Sequence, residues 1–129
     1  MAARKWKASV DGQEELIRRL KAILTIVRKE VGRINYEVAL RGADRARGLV
    51  PVRTGALLES IDVQGGGTTW RFGSFGYEGR AMVPRWVEYG TSRTPAKPYM
   101  QPASEGARSA LPKETHTFSR QLPFLVAKE

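Results

Sequence analysis

Hydrophobic positions recur with helical spacing along the first third of the chain. Leu16, Leu20, Ile23, Val27, Val31, Ile34 and Val38 follow one another at steps of three or four residues. That spacing places them on one stripe of an α-helix. Arg18, Lys21, Arg28 and Lys29 fall off the stripe and are expected to face water or a partner. Asp11-Gly12-Gln13-Glu14 reads as the helix start, with Asp11 accepting from the orphan amides and Glu14 reaching back to the cap. Beyond Val38 the face turns small at Ala39, Ala43 and Ala46, which lets another backbone approach. One helix over residues 12–47 would span about 54 Å at ~1.5 Å per residue. That exceeds what a compact domain of this size needs, so Gly32 and Gly42 are the expected places for a bend or break. Without a break, the helix projects and packs on another subunit.

The remaining pattern is shorter in period. Lys5 to Val10 alternates loosely and predicts a short strand. Gly48 and Pro51 end the helical run, Thr54-Gly55 predicts a turn, and 56–60 one further helical turn. Ile61 to Gln64 and Thr68 to Phe72 alternate about Gly65-Gly66-Gly67, a hairpin with Trp70 and Phe72 on one face. Gly73 to Gly79 reads as a glycine-rich loop, and 82–89 as an apolar, aromatic stretch closed by Gly90-Thr91. A proline-punctuated loop follows, and then a helix from Pro102 through Ala110, stopped by Pro112. The last residues form a tail whose apolar part, Leu122 to Val126, docks on a neighbour, packs on its own core or is disordered.

Composition narrows the classes. The 129 residues suit a single domain able to bury a core, and hydrophobic content of 41% argues against a disordered chain. There is no cysteine, which excludes disulfides and thiolate zinc sites. No apolar run approaches the roughly 20 residues of a membrane helix. The charged start Met1 to Trp6 has no apolar stretch behind it, so a cytosolic origin is expected. The net charge of +9 favours a polyanion nearby.

Candidate chemistry is sparse. His116 is the sole histidine, with no ligand set close to it in sequence, so no metal site is expected. Glu88 stands alone between Val87 and Tyr89. It reads as a catalytic acid or base, or as a buried carboxylate satisfied by an arginine or by backbone amides; the absence of a second acid or nucleophile favours the latter. Arg53 and Arg85 are the candidate arginines. The triple glycine lacks the Lys-Ser/Thr of a phosphate loop, and no dinucleotide fingerprint or other cofactor motif is present. Trp70, Phe72 and Trp86 could stack on bases, though aromatics on alternating strand positions more often serve the core.

Three segments in order resemble one family. Pro51-Val52-Arg53-Thr54-Gly55-Ala56-Leu57-Leu58-Glu59-Ser60-Ile61 is similar to a Pro-x-x-Thr-Gly-x-Leu-x-x-Ser-Ile signature. Trp86-Val87-Glu88-Tyr89-Gly90-Thr91 resembles its aromatic-Val-Glu-aromatic-Gly-Thr segment. Pro98-Tyr99-Met100-Gln101-Pro102-Ala103 resembles its entry to the last helix. The family is the small neck, or head–tail joining and tail-completion, proteins of long-tailed double-stranded DNA phages, and the match covers roughly residues 8–112. With the elements above, it implies an α+β domain over 1–112: a long N-terminal helix packed on a small, mainly antiparallel β-sheet, with a short C-terminal helix. An extended tail over 113–129 follows. The resemblance also implies a homo-oligomeric ring in the virion neck, made in the host cytoplasm, with portal or connector and tail proteins as partners. It implies no enzyme activity and no small-molecule substrate. A ring with a positive lumen would touch packaged DNA through phosphates alone, Arg18, Lys21, Arg28 and Lys29 being the candidate contacts. A tail terminator capping the tail tube, or a basic non-specific nucleic-acid-binding module, are the competing expectations.

Overall fold

The computed structural model of the chain describes residue 8 and residues 11–53, 55–75 and 83–127. The strand expected over 5–10 falls outside them apart from residue 8, as do Thr54 and most of the loop expected to end at Gly79. The order of elements is α1 (Gln13–Leu49), α2 (Ala56–Ser60), β1 (Ile61–Gly66), β2 (Thr69–Ser74), α3 (Val83–Tyr89) and α4 (Met100–Ala127). The architecture is α+β, as the pattern implied.

Helix α1 runs its 37 residues without a break. The glycines expected to bend it are instead points of close approach. A Cβ on Gly32 would overlap the Gly67 carbonyl, and one on Gly42 would lie 2.5 Å from the Phe72 ring. The hairpin therefore lies along α1, pressed into two side-chain gaps, and its tip sits at Gly32. Asn35 fixes that tip by donating to the Thr68 carbonyl at 2.6 Å. The start of α1 also differs from expectation. Gly12, left-handed at φ 85°, is the N-cap, and among the described residues no side chain caps the amides. Glu15, not Glu14, is the acid that engages, accepting from Arg18 and Arg19.

β1 and β2 pair antiparallel, with Val63 opposite Phe72 and Gly66 opposite Thr69. The turn is Gly67-Thr68, and Gly67 has φ 60°, which suits the first central position of a tight hairpin turn. Phe72 and Trp70 share the face toward α1, where Trp70 meets Tyr36 with ring centroids 4.6 Å apart.

Helix α4 corrects the largest expectation. It does not stop at Pro112 but continues through Pro112 and Pro123 for 28 residues, so 113–127 are helical and not an extended tail. It runs antiparallel to α1: Gly106 lies against Arg45, Glu114 pairs with Arg41 at 2.9 Å, and Phe118 is buried with Ile34 and Val38. Leu122 and Leu125 pack on that same cluster together with Val27. Each interior proline removes an amide and costs about 3 kcal/mol. Burying Phe118 returns about 1.5–3 kcal/mol, and the half-buried Leu122 and Leu125 add smaller shares, so packing on α1 offsets part of that cost. Of the apolar tail segment, Leu122 and Leu125 thus pack on their own chain, while Phe124 stays exposed.

The core is two adjoining clusters. One gathers Ala43, Ala46, Val50, Leu57, Ile61, Tyr99 and Ala103; the other is the Ile34–Val38–Phe118 group. The stripe of α1 outlasts its cover. Leu16 and Leu20 are 57% and 55% exposed, and Ile17 and Leu24 are exposed beside them. No helix among the described residues is long and apolar enough to cross a membrane.

Candidate functional site

The three family-like segments meet in one core cluster, where Glu88 ties the second to the third. Its carboxylate, carried on the last turn of α3, accepts from the backbone amides of Tyr99 and Met100 at 2.9 Å each and of Gln101 at 2.8 Å. A helix leaves its first four amides without internal partners. For α4 those belong to Tyr99, Met100, Gln101 and Pro102, and a proline has no amide. One carboxylate and one proline therefore account for the whole helix start, with the negative charge at the positive end of the helix dipole. Of the readings open for Glu88, the structure realises the backbone-amide one. Neither Arg53 nor Arg85 pairs with it.

The loop that delivers α4 to Glu88 is built by its neighbours. Gly90 is left-handed at φ 77°, and a Cβ there would lie 2.7 Å from the Ala96 nitrogen. Thr91 closes the turn, its Oγ accepting from the amides of Arg93 and Thr94. The Lys97 amide returns to the Val87 carbonyl at 2.8 Å. Pro98 precedes the helix; Tyr99 is buried, and its hydroxyl sits 3.0 Å from Ser74 Oγ on β2. Burial raises the Tyr99 phenol above its ordinary pKa, with the Glu88 charge adding in the same direction and the Ser74 hydrogen bond opposing.

The first segment closes the knot from below. Gly55, at φ 84°, turns the chain into α2. Leu57 and Ile61 enter the core, and Ser60 Oγ donates back to the Leu57 carbonyl at 2.7 Å. The Ser60 carbonyl then accepts from Phe75, and Arg47 of α1 donates to the Ile61 carbonyl. Pro51 lines a cleft of about 510 Å³ with Gly55, Leu57, Val83 and Val87, and Arg53 and Lys97 also line it. The large hydrophobics of the motifs that face outward are Val52, Trp86 and Tyr89, the last 73% exposed.

The basic candidates divide. Arg18 is engaged with Glu15, whose carboxyl is held below its usual range by Arg19 first and then Arg18. Lys21, Arg28 and Lys29 are exposed and form no ion pair among the described residues. Arg28 and Lys29 line an open cleft of about 840 Å³ beside the hairpin tip, with Gly32, Arg33, Tyr36, Gly67, Thr68 and Trp70. Arg33, Tyr36 and the part Trp70 plays there were missed from sequence. The available signal was Lys29, Gly32, Arg33 and Tyr36 at helical spacing, off the apolar stripe, around a glycine gap. Arg33 is held by Glu30 and Glu37, in that order of effect, and both keep it more firmly protonated. Phe72 lies against α1 at Gly42, which leaves it unsuited to stacking on a base.

His116 is exposed on α4, and among the described residues no group of histidines and acids could hold a metal. No family model, curated protein or solved structure matches this chain.

Proposed function

We propose that this chain is a structural subunit of the neck of a long-tailed double-stranded DNA phage, joining the portal side of the head to the tail as part of a homo-oligomeric ring. Its work is association, with no reaction and no cofactor. The observation that carries the reading is a pair of unlike apolar surfaces at opposite ends of α1. At one end Leu16, Ile17, Leu20 and Leu24 stand exposed; near the other, beside the Glu88 knot, stand Trp86 and Tyr89. Self-association through two different patches is heterologous, and such contacts close into rings when the rotation permits. The convergence of all three family-like segments on one knot supports the family resemblance, since residues far apart in sequence serve one local structure. Exposed aromatics such as Trp86 and Tyr89 on α3 are also the kind of side chain that dominates interfaces.

Complementation tests the reading. Leu20→Glu and Tyr89→Ala each block one surface, so each alone should be monomeric by light scattering. Mixed, they should form a one-to-one heterodimer and nothing larger, because one intact contact remains between them. Homodimers from either variant alone would point to a twofold pairing and sink the ring. Absence of the chain from purified virions would overturn the neck placement itself.

A further inference from the structure

We infer that the cleft between α1 and the hairpin tip binds the phosphodiester backbone of a nucleic acid. The inference stands on this surface alone and holds whether or not the chain closes into a ring.

Lys21, Arg28 and Lys29 lie within about two turns of one helix and have no carboxylate partner among the described residues. Arg28 and Lys29 open directly into the cleft. The third cation at its wall, Arg33, already shares its charge with Glu30 and Glu37. Two free cations facing one concavity, with a third about two turns further up the helix, form a basic stripe that a phosphate backbone can follow.

The floor suits a sugar-phosphate strand as well. Gly32 removes a side chain from α1 where the chain at Gly67 passes closest. Tyr36 and Trp70 pack against each other as the far wall, and Trp70 Nε1 is engaged with the Gly67 carbonyl at 3.2 Å. That bond fixes the indole in place, so it serves as a wall and not as an inserting wedge. Recognition then comes from charge, without reading of sequence. A small phosphorylated ligand fits less well, since the cleft is open.

The test is fluorescence anisotropy of labelled duplex and single-stranded DNA of mixed sequence, titrated with the whole chain. Binding to either form should not depend on sequence. Between about 50 and 200 mM salt it should weaken about 40-fold on duplex and about 20-fold on single strands, the losses expected for three phosphate contacts. Arg28→Glu with Lys29→Glu should lower affinity by about tenfold or more. Lys113→Glu with Arg120→Glu, an equal change in net charge on exposed positions of α4, should leave it nearly unchanged. In a chain with Trp6 and Trp86 replaced by phenylalanine, Trp70 emission should shift on binding. Equal losses in the two charge-reversal variants would reduce the effect to net charge and overturn the site. So would an absence of binding at low salt, salt-insensitive binding, or a silent Trp70.

Discussion

Glu88 shows how much a single side chain can carry. Three amides converge on its carboxylate, and hydrogen bonds to a charged group are worth about 1.5–3 kcal/mol each before strain and desolvation are counted. Glu88→Ala strands those amides at a buried helix start and should cost about 3 kcal/mol or more in denaturant unfolding. Glu88→Gln keeps one acceptor oxygen and should fall between that and the native chain. Tyr99 makes a pH-dependent contribution. Its folded-state pKa lies above the ordinary value of 10.0. As pH climbs, the unfolded chain loses that proton first, so the contribution is intact below about 10 and is lost as pH rises through the folded-state value. Tyr99→Phe should remove this share of alkaline destabilisation while costing about 1 kcal/mol at neutral pH through the Ser74 bond. Gly55 acts through backbone alone: nothing lies within 4 Å of where its Cβ would be, yet φ is 84°. Gly55→Ala or Gly55→Val should therefore cost about 1–2 kcal/mol through left-handed strain, with Gly55→Asn milder.

At the level of elements, the two helix glycines and the two helix prolines invert ordinary propensity. Gly42→Ala should cost about 2 kcal/mol, because its methyl meets the Phe72 ring. Gly48→Ala, with open space around it, should be neutral or stabilise by up to about 1 kcal/mol. Thermal melts of the pair separate packing from propensity. Phe118→Ala should cost about 3 kcal/mol and expose Ile34 and Val38. The same physics explains what the sequence could and could not tell. The stripe from Leu16 to Val38 and the Trp70–Phe72 alternation are local periods, and both were readable. Gly32 and Gly42 read as breaks because propensity is local, whereas their partners lie about 30 residues away in the hairpin. Pro112 read as a stop for the same reason: the apolar contacts that carry α4 past it come from α1. Glu88 was recognisable as a satisfied acid, but its partners, backbone amides 11 to 13 residues ahead, have no side-chain signature. Pro102, in the first turn of α4, was the hint available.

For the molecule as a whole, one long rod links two different neighbourhoods. From about Val27 to Leu49, α1 is held by α4 and the hairpin; from Gln13 to about Leu24 the described residues add only its own ladder of hydrogen bonds and the Glu15 ion pairs. Isolated helices of that length are marginal in water. Amide exchange should therefore grade smoothly along one continuous helix, fast near Leu16 and slow near Ala43, instead of stepping at a boundary between elements. The free end is thus a segment whose order is supplied by whatever it meets. A partner that captures it gains contact area and contributes the last turns of order in a single event, so assembly should register as slowed exchange at Leu16 to Leu24 before any other part of the chain responds.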